Sequence, residues 1–241
     1  MVSNFQELVF DPQVISRFDI SGPRYTSYPT ADRFVEAFGA EAYKHWLGRR
    51  TVGGFSRALS LYVHIPFCNT ICYYCACNKI ITKDHGRSAK YLKYLGKELA
   101  LQAEALDGSH DVVQLHWGGG TPTFLSDDEM RRLMDLINRH FRLLPNGEYS
   151  IEVDPRKVGR ESVRLLADLG FNRMSVGVQD FEPAVQQAVN RLQSRDETAL
   201  VIDSAREFGF KSVSVDLIYG LPRQNVISFN HSLDEVIKLS P

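Results

Sequence analysis

No stretch of this 241-residue chain approaches eighteen successive apolar residues, so no helix that crosses a bilayer is expected. Charge of one sign is missing too. With 28 Lys and Arg against 29 Asp and Glu, the formal net charge of −1 creates no field for nucleic acid or a membrane surface. Any anionic partner has to be met by local arginines and lysines. The segment Met1–Phe18 mixes Glu7, Asp11 and Arg17 with apolar residues and lacks the uninterrupted apolar core of a secretory leader. Cysteine is scarce: there are four, all between positions 68 and 77, which excludes a disulfide framework spread over the fold. A second pair of the kind that structural zinc sites use is absent. What remains, with 44% hydrophobic residues, is enough to bury a core as one large domain or two small ones.

The cysteines lie in Tyr62-Val63-His64-Ile65-Pro66-Phe67-Cys68-Asn69-Thr70-Ile71-Cys72-Tyr73-Tyr74-Cys75-Ala76-Cys77-Asn78, a C-x3-C-x2-C-x-C run. Adjacent disulfides would strain so short a loop, whereas closely spaced thiolates hold iron–sulfur clusters. Zinc is the competing metal. Phe67, Tyr73 and Tyr74 suit a cluster because apolar bulk limits water around it, and the same residues would also serve as loop packing. Thiolates that stay reduced place the protein in the cytoplasm.

Around this loop the periodicity is that of a βα series. Residues 1–60 read as a helical and loop-rich lead-in, with a helix expected over Phe34–Leu47 despite Gly39. Ser21–Thr30 is an irregular segment, a surface connector or a lid edge that offers Arg24 to an anion. From 61 to 241, strands are expected at Leu61–Phe67, Val113–Trp117, Ser150–Val153, Arg173–Val178 and Val213–Ile218. Helices are expected at Ser88–Leu106, Ser126–Phe141 with Ser126 and Glu129 as a capping box, Glu161–Leu169, a helix capped by Asp196 that runs to Glu207, and Ile227–Leu239. Alternation of this kind gives a parallel α/β sheet.

Ligands of such sheets collect at the carboxyl ends of the strands. The unusual residues obey that rule: the cysteine loop follows the first strand, Gly118-Gly119-Gly120-Thr121-Pro122 the second, Glu152-Val153-Asp154-Pro155 ends the third, Gln179-Asp180 the fourth, and Asp216 the fifth. The glycines would let the backbone approach a small polar ligand. Glu152 and Asp216 are acceptors for an ammonium group or a ribose diol, and Arg191 is either a fork for a carboxylate or a solvated surface charge. His64 and His116, inside strands, read as hydrogen-bonded core histidines rather than metal ligands.

A C-x3-C-x2-C loop after the first strand and a glycine turn after the second resemble the radical S-adenosylmethionine superfamily. Within it, Tyr62–Cys68, Cys75–Lys79, Gln114–Thr123, Ile151–Arg156, Ser175–Phe181, Asp216–Pro222 and Ser21–Thr30 resemble the oxygen-independent coproporphyrinogen III oxidases, from about residue 18 onward. The resemblance implies a partial (β/α) barrel and a [4Fe-4S] cluster on Cys68, Cys72 and Cys75, one iron being left open for S-adenosylmethionine. It implies two molecules of that cofactor, the first served by Tyr62, Gly119 and Glu152, the second by Tyr74, Gly120, Thr121, Gln179, Arg191 and Asp216. Thr121 stands where many superfamily members carry Glu, so no carboxylate role falls there. The implied activity is oxidative decarboxylation of coproporphyrinogen III propionates to vinyl groups in haem synthesis. An electron donor such as flavodoxin or ferredoxin would feed a monomeric enzyme, with Arg24 and Tyr25 near the anionic substrate. Cys77 is no cluster ligand in that family, although its spacing permits it.

The family's barrel has six strands and a further C-terminal domain, and this chain stops where the sixth strand should begin. A fragment of reduced stability and little complete activity is therefore expected, with its fifth strand left as an edge. Two other readings stand beside the leading one: a related haem chaperone, and a non-enzymatic iron–sulfur or zinc module with all four thiolates on metal.

Overall fold

Alternation along the strands sorts the side chains into two faces, and everything else follows from that sorting. A computed structural model describes residues 11–20 and 28–241. Its central sheet has five strands, β1 (Leu59–Ile65), β2 (Asp111–Gly119), β3 (Arg142–Val153), β4 (Arg173–Gln179) and β5 (Ser212–Leu217), in that spatial order, and all neighbouring pairs are parallel. On one face Val63 and Ile65, Leu115 and Trp117, Ile151 and Val153, and Met174 and Val176 are buried in a single core. Each such side chain stabilises the fold by about 1.5–3 kcal/mol. The opposite face carries Tyr62 and His64, His116 and Gly118, Ser150 and Glu152, Ser175 and Gly177, and Ser214 and Asp216.

Helices cover the apolar face. In α3 (Gly86–Ala105) the stripe Leu92, Leu95, Leu99 and Ala103 is buried, as its i, i+3, i+4 spacing requires. α4 (Asp127–His140) opens with the expected capping box between Ser126 and Glu129 and buries Met130, Leu133, Met134 and Ile137. α5 (Arg160–Asp168) buries Val163 and Leu166 and yields to Gly170 at a φ of +94°. α7 (Arg195–Glu207) departs from expectation at its start. Its cap is Ser194, whose hydroxyl accepts from the Glu197 N–H while Glu197 bonds back, so Asp196 lies inside the first turn. α8 (Val226–Leu239) begins at Asn225 and packs Leu239 into the core.

Three features were hidden from periodicity. A short helix, α6 (Pro183–Ala188), lies between β4 and α7; Thr51–Val52 and Phe55–Ser56 form a hairpin; and Phe67–Cys68 pairs in parallel with Ile80–Ile81. Two-residue ladders have no period to detect. β3 is also much longer than expected, because Leu143 and Arg142 pair with Val112 and Asp111 across a register shift that the Pro145-Asn146-Gly147 segment absorbs.

By contacts the chain divides into Met1–Trp46 and Leu47–Pro241. The division falls before residue 60 because the Arg50 and Thr51 amides bond the Asp107 carboxylate at 2.8 and 3.1 Å. In the first unit Asp11 caps α1 (Pro12–Phe18). The helix expected over Phe34–Leu47 is confined to α2 (Ala40–Leu47), preceded by a 3-10 turn at Ala31–Arg33, and Phe34, Phe38 and Trp46 are exposed. Gly39, a weak helix former, sits where the expected helix would have to continue. Among the described residues no helix is long and apolar enough to cross a membrane.

Candidate functional site

The cysteine loop is closed at its neck. The Ile80 N–H donates to the Pro66 carbonyl at 2.6 Å and the Thr82 N–H to the Cys68 carbonyl at 2.9 Å, so residues 69–79 project beyond the end of β1. The glycine turn is strapped to the same neck, Gly120 N–H to Ile65 carbonyl at 2.8 Å and Thr121 N–H to Phe67 carbonyl at 2.9 Å. Any Cβ at position 120 would stand 2.7 Å from the Phe67 oxygen. Gly119 has a φ of +119°, and a Cβ there would stand 2.8 Å from the Ile65 oxygen. The glycines are therefore required by close backbone approach.

The four thiols are free; Cys68, Cys72 and Cys75 are half-buried and Cys77 is exposed. Burial, followed by the neighbouring cysteines, pushes the Cys68 thiol up to about 11. In the metal-free chain this thiol is neutral, and a bound cation would reverse that preference. Among the described residues no three His, Cys, Asp or Glu side chains are grouped to share one metal ion. A cubane asks instead for one thiolate per iron corner.

Glu152, at the end of β3, accepts from the Gly119 N–H at 3.2 Å and lies 3.2 Å from His116 Nε2. His116 Nδ1 is in turn 2.6 Å from Ser150 Oγ, and His64 lies 2.9 Å from the Tyr62 hydroxyl and 2.8 Å from the Asn78 carbonyl. Both histidines are hydrogen-bonded, but on the polar face rather than in the core. Asp216 accepts from Ser175 Oγ at 2.9 Å.

Arg191 is no solvated charge, for only 9% of the residue is exposed. Its Nη2 donates to the Gly177 carbonyl at 2.7 Å and lies 3.6 Å from Asp154, and its Nη1 reaches Cys72 Sγ at 3.7 Å. Gly177 leaves the room: a Cβ there would stand 3.0 Å from Arg191 Nη2. The Arg191 Nε is buried without a partner among the described residues, which suits a ligand acceptor. Asp154 is held at both oxygens by Arg156, at 2.6–3.2 Å. Burial raises its pKa, but the Arg156 hydrogen bonds and the Arg191 charge outweigh that and leave it below the usual carboxylate range. Burial pushes the Tyr74 phenol well up, against the pull of Arg191.

These groups line one cleft of about 170 Å³ at the carboxyl ends of the strands. It brings together Cys68, Cys72, Cys75, Tyr74, Gly119, Gly120, Thr121, Glu152, Gln179, Arg191 and Asp216, with Cys77 also on its wall. Tyr62 is elsewhere: it stacks on His116 with ring centroids 5.7 Å apart and lines a separate cavity of about 340 Å³ with Glu148, Ser150 and Arg173. Arg24 and Tyr25 lie outside the described residues. Sequence reasoning assigned no role to Asp154, Arg156, Lys79 or Ser175, which also line the cleft. The Asp154-Pro155-Arg156 string was visible, but nothing in its spacing told that its carboxylate and guanidinium face the cysteines. A sulfur-rich mouth, glycines that admit a ligand, an orphaned guanidinium donor and two carboxylates together fit a [4Fe-4S] cluster and an amino-acid-like cofactor.

Comparison with known proteins agrees with this chemistry. Residues 62–236 match the model of the radical SAM superfamily. The chain is 51% identical to the oxygen-independent coproporphyrinogen III oxidase of Pseudomonas aeruginosa, over 96% of this chain and 50% of that protein. It is 46% identical to the protein of the same name from Escherichia coli, over 98% and 50%. The chain thus spans about half the length of the curated relatives it matches. The solved structure of the Escherichia coli coproporphyrinogen III oxidase, a radical SAM enzyme, superposes with a TM-score of 0.89 at 44% identity, covering 98% of this chain and 52% of that one. The radical S-adenosylmethionine methyltransferase TsrM from Kitasatospora setae, at 15% identity and a TM-score of 0.51 over 76% of this chain and 35% of its own, shares the fold. With its parallel sheet, its cysteine loop and a family match across most of its length, this chain belongs to the radical SAM superfamily.

Proposed function

We propose that this chain serves the oxygen-independent oxidative decarboxylation of coproporphyrinogen III, in which two propionates become the vinyl groups of protoporphyrinogen IX. The observation that carries the reading is the convergence of Cys68, Cys72 and Cys75 with Gly119, Glu152 and Asp216 on one cleft, in a chain 51% identical to a protein named for that activity. The three cysteines would hold a [4Fe-4S] cluster. When bound, the cluster and S-adenosylmethionine supply a 5′-deoxyadenosyl radical able to take a hydrogen from a propionate β-carbon.

The chain's own residues bind and orient. Gly119 and Glu152 serve one S-adenosylmethionine, and Tyr62, expected with them, lines the separate cavity and meets Glu152 through the His116 ring on which it stacks. Tyr74, Gly120, Thr121, Gln179, Arg191 and Asp216 serve a second, Arg191 offering its fork to a carboxylate and Asp216 accepting from an ammonium group or hydroxyls. Arg24 and Tyr25 meet the substrate's carboxylates. A flavodoxin or ferredoxin delivers electrons to a monomer in the cytoplasm, without nucleic acid or membrane.

Anaerobic reconstitution of the chain with iron and sulfide tests the reading. On the order of four irons per chain are expected, lost in Cys68→Ala, Cys72→Ala and Cys75→Ala and kept in Cys77→Ala. The paramagnetic spectrum of the reduced cluster should change when S-adenosylmethionine is added, and coproporphyrinogen III should release CO2 more slowly than with a full-length relative. Zinc in the site, or a cluster closed by Cys77 and indifferent to the cofactor, overturns it.

A further inference from the structure

Three hydrogen bonds join one short turn to the cysteine loop. After α6, Val189 accepts from the Tyr73 N–H at 3.0 Å, the Asn190 carboxamide donates to the Ile71 carbonyl at 2.7 Å, and the Arg191 guanidinium reaches Cys72 Sγ at 3.7 Å. Three successive residues of the turn thus grip three successive residues of the loop, the middle cysteine among them. Asn190 sits at a φ of +55°, which Asn tolerates better than most residues, and its side chain supplies the donor.

The turn is itself anchored. Gln186, buried in α6, donates to the carbonyls of Asp180 and Gln193, both at 2.8 Å, and accepts from the Gln193 N–H at 3.0 Å. Asp180 in turn accepts from Ser232 of α8 at 2.8 Å. These bonds tie the turn to α6 and, through Asp180, to α8, while Gln193 Oε1 is buried without a partner among the described residues. Val185 and Val189 form a small apolar cluster against which Tyr74 of the cysteine loop packs. Beyond its neck the loop is otherwise supported by its internal Cys75 N–H to Cys72 carbonyl bond at 3.0 Å, and at its far end, residues 75–78, by Lys79 Nζ on the Cys75 carbonyl at 2.8 Å and His64 on the Asn78 carbonyl, so residues 71–73 depend on the turn.

We propose that the Val189-Asn190-Arg191 turn is a clasp that holds the cysteine loop, with Asn190 as a positioning residue that sets Cys72 relative to Cys68 and Cys75. The proposal rests on the reading of these three as cluster ligands. Asn190→Gly keeps the backbone conformation and removes the carboxamide; Asn190→Asp keeps the size and turns a donor into an acceptor that faces the Ile71 carbonyl.

Hydrogen exchange of the metal-free chain reads the clasp without any cluster. The Tyr73 amide should exchange about ten-fold faster in both variants, the core amide of Ile151 being unchanged. After anaerobic reconstitution, iron per chain should fall at least two-fold in Asn190→Asp. The cluster that Asn190→Gly assembles should give a reduced paramagnetic spectrum different from that of the parent, a readout that general loss of stability does not move. A Tyr73 amide indifferent to both variants, or accelerated only in step with Ile151, overturns the clasp. A parent chain that takes up no cluster while Tyr73 responds as stated refutes the ligand reading, and with it the role given to Cys72, but leaves the contact between turn and loop standing.

Discussion

Asp154 lines the cleft and Gly118 stands behind its Glu152, so a change at either one reaches the cleft. The Asp154 carboxylate lies between Arg156 and Arg191 with about a tenth of its side chain exposed, so it neutralises buried positive charge next to Cys72. Asp154→Asn strands that charge and is expected to cost about 3 kcal/mol in urea unfolding. Because the folded-state pKa lies below that of the unfolded chain, the unfolded state binds more protons between the two values. The contribution of Asp154 is therefore complete above about pH 4 and is lost as pH falls through the folded value. The variant's stability should accordingly vary less with pH below pH 4 than the parent's. At Gly118, an added Cβ would stand 2.9 Å from Glu152 Oε1 and 3.0 Å from His116 Nε2. Gly118→Ala should turn the Glu152 carboxylate away and weaken S-adenosylmethionine binding about ten-fold, about 1.4 kcal/mol, at unchanged iron content, as titration calorimetry of the reconstituted chain would measure.

Helix α7 separates a rule of sequence from its outcome in the fold. Asp196 and Ser194 are both good capping residues, and each precedes an apolar run. The choice falls on Ser194 because Glu197 completes the box with it, and because Gln193, just before, is tied into α6 and donates to Thr198 at 3.0 Å. Ser194→Ala should lower stability by about 1 kcal/mol, whereas Asp196→Ala should change it by about 0.5 kcal/mol or less, both from denaturant midpoints. Helices α3 and α4 were legible because each has a long apolar stripe, and α5 because Gly170 stops it. α6 was not, since six residues give less than two full turns of pattern.

Across the whole sheet, the two faces divide stability from function. Trp117 is fully buried against Phe171, ring centroids 4.9 Å apart, and Trp117→Ala should cost about 4 kcal/mol in thermal or urea unfolding. Its neighbours in sequence, His116 and Gly118, face the other way and serve Glu152. Strand β5 is an edge whose residues are half-buried or exposed, so the apolar cover of the sheet thins from β4 to β5. Hydrogen exchange should therefore be faster in β5 than in β3 or β4.

The order of strands and helices, the class of the fold and most of the cleft's residues could be read from the chain alone. Periodic burial and the carboxyl-end rule act locally, and a cysteine cluster of that spacing has few chemical uses. The partners of those residues could not. That Arg191 is buried rather than solvated, that Asp154 and Arg156 line the cleft with Cys72, that Tyr62 faces a different cavity, and that Asn190 grips Ile71 from 119 residues away all depend on segments brought together by the fold. Contacts between positions so far apart leave no period in the sequence, because their distance is set by packing and not by the chain between them.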